Sequence, residues 1–196
     1  LGQLRLLASI GFAPDNVAAG IATFERALGR LNPPETEWQP EKVHLFSGHM
    51  IDAPGRKTPR FPADKETIAA TAIARALDEL GASNRDLALT QGASGGDLLF
   101  AEAALARGMR VQLLLPLPEP DFIAQSILPA SDGDSWRKRY YQLRDDPLCL
   151  PPRVMPDCLG PLPKDSQGEE ANPFERCNLW LLNTALALGI KRSRFI

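Results

Sequence analysis

Between residues 42 and 115 the hydrophobic positions switch back and forth between two rhythms. Lys42–Ser47 (KVHLFS) is a short β-rich run. Asp64–Leu80 follows a helical period, with Ala69, Ala72, Ile73, Ala76, Leu77 and Leu80 on one stripe. Asp64 is its predicted N-cap and Gly81 its C′ stop. Asp86–Gln91 reads as the next strand and runs into Gly92-Ala93-Ser94-Gly95-Gly96-Asp97. A second helix follows to Arg107, stopped by Gly108. Met109–Leu115 is a continuous apolar run of the kind buried on both faces, cut by Pro116. Strands alternating with helices imply parallel pairing and right-handed crossovers. The predicted class is α/β: a Rossmann-like parallel sheet flanked by helices, with a short N-terminal helical appendage.

That appendage is the amphipathic stretch 14–31, where Val17, Ile21, Phe24, Leu28 and Leu31 share a face. Asn32–Glu37 ends it as a linker, so a boundary falls near residue 40. The chain thus divides into a helical segment and linker, 1–40, and a Rossmannoid domain, 41–196. After Pro116, Asp121–Leu128 and Ser135–Leu143 read as helices and Pro147–Leu150 as a short strand. Residues 151–172 carry five prolines and read as a long loop. Asn172–Leu188 is apolar nearly all round, which predicts a buried helix. Ser193–Ile196 starts a further strand. A parallel sheet ending on a fresh strand predicts that the domain continues past Ile196.

Composition narrows the function classes. The 196 residues sum to 22 − 24 = −2 charges, which argues against a nucleic-acid-coating protein. Proline is high, 18 residues, against a usual ~5%, so much of the chain is loop. Cys149, Cys158 and Cys177 form no C-x-x-C and no even framework. They read as reduced thiols in a cytoplasmic protein. No stretch approaches a membrane span. With two histidines and no Cys/His/Asp cluster, neither a metal nor a cofactor is expected.

In an open parallel sheet, ligands bind beyond the carboxyl ends of the strands. Two loops meet that condition here. In Gly92–Asp97, the glycines Gly92, Gly95 and Gly96 let backbone approach a ligand. The amides opening the next helix would then face an anion, with Ser94 adding a hydroxyl. The bland alternative is a tight strand–helix turn. Asp97 is either a helix cap or a contact for a ligand hydroxyl. Glu102 is either a solvated helical glutamate or a carboxylate facing the cleft. The other loop, Ser47-Gly48-His49 to Arg60, brings Arg56, Lys57 and Arg60 within reach of a phosphate, unless it is merely a solvated basic loop. His44, inside its strand, reads as a core or edge residue. Trp136-Arg137-Lys138-Arg139-Tyr140-Tyr141 reads as a helix with Trp136 and Tyr140 in the core, or else as a base-stacking patch.

Phe46-Ser47-Gly48-His49-Met50-Ile51-Asp52, followed by Pro54-Gly55-Arg56 and Pro59-Arg60-Phe61-Pro62, resembles the opening of one branch of the SLOG superfamily, the DprA/Smf-like and LOG-like Rossmannoid domains. Gly92–Asp97 resembles its second signature. Pro116 to Phe122, Ser126, Trp136, Arg139 and Glu175-Arg176-Cys177-Asn178-Leu179-Trp180 also resemble that branch. The resemblance implies a nucleotide-binding signalling module. Its ligand would be a phosphorylated nucleotide or an NAD-derived molecule, as in bacterial defence systems, and a helical or effector domain would be fused or adjacent. Ser47, Gly48, His49, Arg56, Arg60, Gly92, Ser94, Gly95, Gly96 and Asp97 would form the ligand site. The LOG branch instead implies N-glycosidic hydrolysis of a nucleotide, with Glu102 or Asp97 at the ribosyl centre. The LOG motif P-G-G-x-G-T-x-x-E is absent from this sequence. A structural module without ligand is the third alternative, and a homodimer remains open.

Overall fold

The computed structural model describes residues 38–164 and 167–196. The predicted helix over 14–31 lies outside the described residues. The chain divides into two units at Gln39/Pro40, and the fold below is that of Pro40–Ile196.

Five parallel strands form one sheet: β1 Val43–Leu45, β2 Leu87–Thr90, β3 Arg110–Leu115, β4 Cys149–Val154 and β5 Ser193–Phe195. Their spatial order is β4-β3-β2-β1-β5. The helices are α1 Glu66–Glu79, α2 Gly96–Leu105, α3 Glu119–Ser126, α4 Gly133–Arg144, α5 Met155–Leu159 and α6 Pro173–Leu188. This is the α/β, Rossmann-like arrangement that the alternation predicted.

The pleat sends successive strand residues to opposite faces. Ala88, Val111, Leu113 and Leu115 face a core made with α1, α2, α3 and α4. Val43, Leu87, Leu89 and Leu114 face a smaller core made with α5 and α6. The chain steps β1 to β4 in one direction with helices on the first face. It then returns on the second face to place β5 beside β1. This reversal makes β1 the switch point of the sheet.

The predicted stop of α1 is present in full. Gly81 has φ +61°, its N–H donates to Asp78 O, and Ala82 N–H donates to Leu77 O. The predicted start is not. Asp64 sits in a 3₁₀ turn, Ala63–Lys65, and pairs with Lys65 at 2.9 Å; α1 begins after Lys65 with no side-chain cap. By contrast, Asn172 caps α6, its Oδ1 accepting from Phe174 N at 2.9 Å, with Pro173 in the first turn.

Residues 151–172 also depart from the loop reading. β4 runs on through Pro151 and Pro152 to Val154, and α5 follows at once. The strand tolerates its prolines because it is an edge, and because the ladder to β3 slips between Gln112 and Leu114. There Pro151 and Pro152 together stand opposite Leu113. The Gln112 side chain bridges the irregularity, donating to Leu113 O at 3.0 Å and to Pro151 O at 2.9 Å.

Trp136 and Tyr140 are buried in the core on α4, which settles the Trp136–Tyr141 run as a helix. His44 is a core residue, fully buried, with Nε2 3.4 Å from Asp86 Oδ2. Burial holds its pKa below the ordinary value. All three cysteines are free. Burial pushes Cys177 up to about 12 and Cys149 up to about 11, so both stay thiols at neutral pH. No helix among the described residues is long and apolar enough to cross a membrane.

Candidate functional site

The chain leaves β1 at Phe46 and β2 at Gln91, both at the carboxyl edge of the sheet, and the two loops are zipped together there. Ile51 N donates to Ser94 O at 3.1 Å, and Gly96 N donates to His49 O at 3.1 Å. Met50 and Gly95 form an antiparallel bridge. Gly95 makes this contact with φ +99°. A Cβ there would lie 2.7 Å from Ile51 N and 2.8 Å from His49 O, so no other residue fits.

Asp97 is the cross-brace. Its carboxylate is buried and accepts from Gly48 N at 2.9 Å and Ala93 N at 3.3 Å. It is not a terminal cap, because it lies inside α2 and ties a loop from each strand. Burial pushes its pKa up to about 6, against the opposing pull of those amides.

Beyond β1, Asp52 folds the arginine loop. Its Oδ2 accepts from Arg60 N at 2.9 Å and Phe61 N at 3.0 Å, while Asp52 N donates to Phe61 O. The closed loop carries Arg56 and Arg60 to the rim of a cleft of about 230 Å³. Arg56 Nε lies 3.4 Å from Asp52 Oδ1 and donates to Thr58 O at 3.0 Å.

Six of the residues singled out from sequence line this cleft: Ser47, Gly48, His49, Arg56, Arg60 and Asp97. Gly92, Ser94, Gly95 and Gly96 do not line it; they build the turn behind it. The amides opening α2 were expected to face a phosphate. Instead Gly96 N, Leu98 N and Leu99 N donate to His49 O, Ala93 O and Gly95 O. Ser94 is fully buried, and its Oγ has no partner. Glu102 lies outside the cleft. It takes two charge-assisted bonds from Arg139, at 2.7 and 2.6 Å, and Arg139 also reaches Glu66 at 2.7 Å. The Arg139 guanidinium rests 4.0 Å over the Trp136 ring.

The cleft also holds residues that sequence reasoning did not place in it: Met50, Gln91, Ala93, Ser126, Phe174 and Asn178. Asn178 joins the elements, its Oδ1 accepting from Ser47 Oγ at 3.0 Å and Gln91 Nε2 at 2.7 Å. Ser126, the last residue of α3, is fully buried, and its Oγ has no partner. A buried hydroxyl left unpaired on a cleft wall is an unsatisfied group that a ligand can complete. The only sequence signal for Ser126 and Asn178 was their place in the order of resembling segments.

The arrangement is chemically one-sided. Two guanidinium groups stand at the rim, and hydroxyl and amide groups line the interior. The one carboxylate, Asp97, is committed to backbone. The chemistry of such a wall suits an anion with hydroxyl groups behind it. Comparison of the chain with protein-family models, with curated proteins and with solved structures finds no match.

Proposed function

We propose that the domain is a binding module for a phosphorylated nucleotide or NAD-derived molecule, holding its sugar-phosphate part in the cleft at the carboxyl ends of β1 and β2. The observation that carries this reading is the convergence of Arg56 and Arg60 on a polar cleft at the switch point of a parallel sheet. Arginine offers a phosphate paired donors in a fixed fork. Ser126 Oγ and the Ser47–Asn178–Gln91 cluster provide polar groups for the sugar hydroxyls. The SLOG resemblance of Phe46–Pro62 and Gly92–Asp97 points the same way. On this reading the module senses its ligand and passes the binding energy to an attached or neighbouring effector by shifting a conformational or oligomeric equilibrium.

Binding without turnover is favoured over N-glycosidic hydrolysis. Hydrolysis needs a carboxylate free to reach the ribosyl carbon, and Glu102 is held by Arg139 while Asp97 is held by Gly48 and Ala93.

The test is a thermal-shift titration of the full chain with AMP, ADP-ribose, cyclic ADP-ribose and NAD, each recovered afterwards by chromatography. A ligand at 100 times its Kd adds roughly 2.7 kcal/mol and moves the midpoint by several degrees. The expected result is a shift from at least one of them, lost in Arg56→Ala and weakened in Arg60→Ala, with the ligand intact. No shift from any of the four would overturn the reading. Cleavage of the ligand would replace it with the hydrolase.

A further inference from the structure

A second hollow adjoins the cleft. It is an apolar groove of about 320 Å³ between the end of β1, the start of α2 and the exposed side of α1. Phe46, Phe61, Ala69, Ala72 and Ile73 supply its walls. Gly48, His49 and Arg60 belong to both hollows, so they form a shared ridge.

We propose that this groove seats the planar ring of the ligand whose sugar-phosphate lies in the cleft, so that one molecule straddles the Gly48–His49 ridge. The inference rests on the nucleotide reading above and adds to it the place and chemistry of the base.

Three observations carry it. The cleft alone, at about 230 Å³, falls below the ~300–1,000 Å³ of pockets that enclose drug-sized ligands, so a whole nucleotide needs further room. The groove supplies that room in direct continuity, and its walls are carbon except at the ridge. The Phe46 ring is also held in place. It stacks on the fully buried Phe100, with centroids 5.1 Å apart and planes 12° from parallel. A fixed aromatic ring is a good platform for a heterocycle, since every base offers a π-face.

The floor of the groove is kept low by the absence of side chains. A Cβ on Gly96 would come within 3.0 Å of the Phe46 ring, and one on Gly48 within 2.5 Å. On α1, Ala69 and Ala72 lie one turn apart and face the same hollow. Ala72 is exposed, so a larger residue there fills the groove without entering the core. Arg60, on the ridge, is placed to reach the phosphate on one side or lie against the ring on the other. The groove offers no second charged group, which suits an uncharged ring rather than a second phosphate.

The experiment is calorimetry on the full chain with AMP, GMP, CMP and UMP, and with ribose 5-phosphate as a ligand lacking the ring. Ala72→Phe fills the groove, and Ala69→Leu does so more mildly, in case the first variant fails to fold. Each variant's fold is checked by circular dichroism and melting. The expected result is that filling the groove weakens the best-bound nucleotide about tenfold or more, the scale of one lost stacking contact. Ribose 5-phosphate should stay within about twofold, and Arg56→Ala should weaken both. If the groove variants leave nucleotide affinity unchanged while Arg56→Ala lowers it, the nucleotide reading stands and the ring assignment falls. If the groove variants weaken ribose 5-phosphate equally, the assignment also falls. If the unaltered chain binds none of the five, the ring assignment falls; the nucleotide reading falls with it when ADP-ribose, cyclic ADP-ribose and NAD fail as well.

Discussion

Asp97 shows how one side chain can fix the shape of a cleft through the backbone that it holds. It brings together the amides of Gly48 and Ala93, one from each strand-end loop, and it is buried to do so. Burial without a cation partner raises its pKa to about 6, whereas in the unfolded chain it titrates near ~3.9. The folded protein therefore holds this proton at pH values where the unfolded chain has released it. The Asp97 contribution to stability is complete below the unfolded pKa and declines as pH rises to about 6. Asp97→Asn removes the titration. The stability of the native chain relative to this variant should fall between pH 4 and pH 6, on the order of 3 kcal/mol in total. Denaturant melts of both proteins across that window measure it, and a flat difference would mean that Asp97 titrates as an ordinary aspartate.

At the scale of elements, β4 shows an edge strand surviving two prolines at a slip in its ladder, with a side chain bridging the slip. Gln112 is buried, and its amide bonds Leu113 O and Pro151 O across the slipped register. Gln112→Leu keeps the bulk and removes the donor. It should cost ~0.5–1.5 kcal/mol, the range for a lost hydrogen bond, read as a drop in denaturant midpoint at unchanged slope. An undiminished midpoint would show that water replaces the amide.

The same strand marks where the sequence could be read and where it could not. α1, α6, β2 and β3 stand out because long apolar periods and glycine or proline stops report one face at a time. β4 does not, because Pro151 and Pro152 are local loop signals, and the slip that accommodates them is set by pairing with another strand. Asp64 misleads for a similar reason: its side chain turns to Lys65, and the 3₁₀ turn displaces the helix start. In the candidate site, Gly48, Arg56, Arg60 and Asp97 could be found because strand-end loops advertise themselves. Ser126, Phe174 and Asn178 carry no such local signal, since they come from the last turn of α3 and the first turns of α6 and only the tertiary fold brings them to β1.

Across the whole molecule, every described residue of the two hydrophobic cores falls within Pro40–Ile196. A unit of this size buries enough surface to stand alone. Residues 40–196 produced by themselves should unfold in one cooperative transition, read by a denaturant or thermal melt. A broad or absent transition would assign residues 1–39 a share in holding the core.

The paired prolines have a further consequence for how the sheet can grow. Pro151 and Pro152 carry no N–H, so two successive positions of β4 offer no donor. The β4 border is thereby poor at templating another strand. The β5 border carries no proline, and Phe195 is exposed on it. The sheet thus has a sealed margin and an extendable one. The extendable margin is one strand away from β1 and the Ser47–His49 loop. Any strand added to this sheet, from the same chain or another, would join it beside the candidate site, where its arrival and the occupancy of the cleft would be felt by the same few residues.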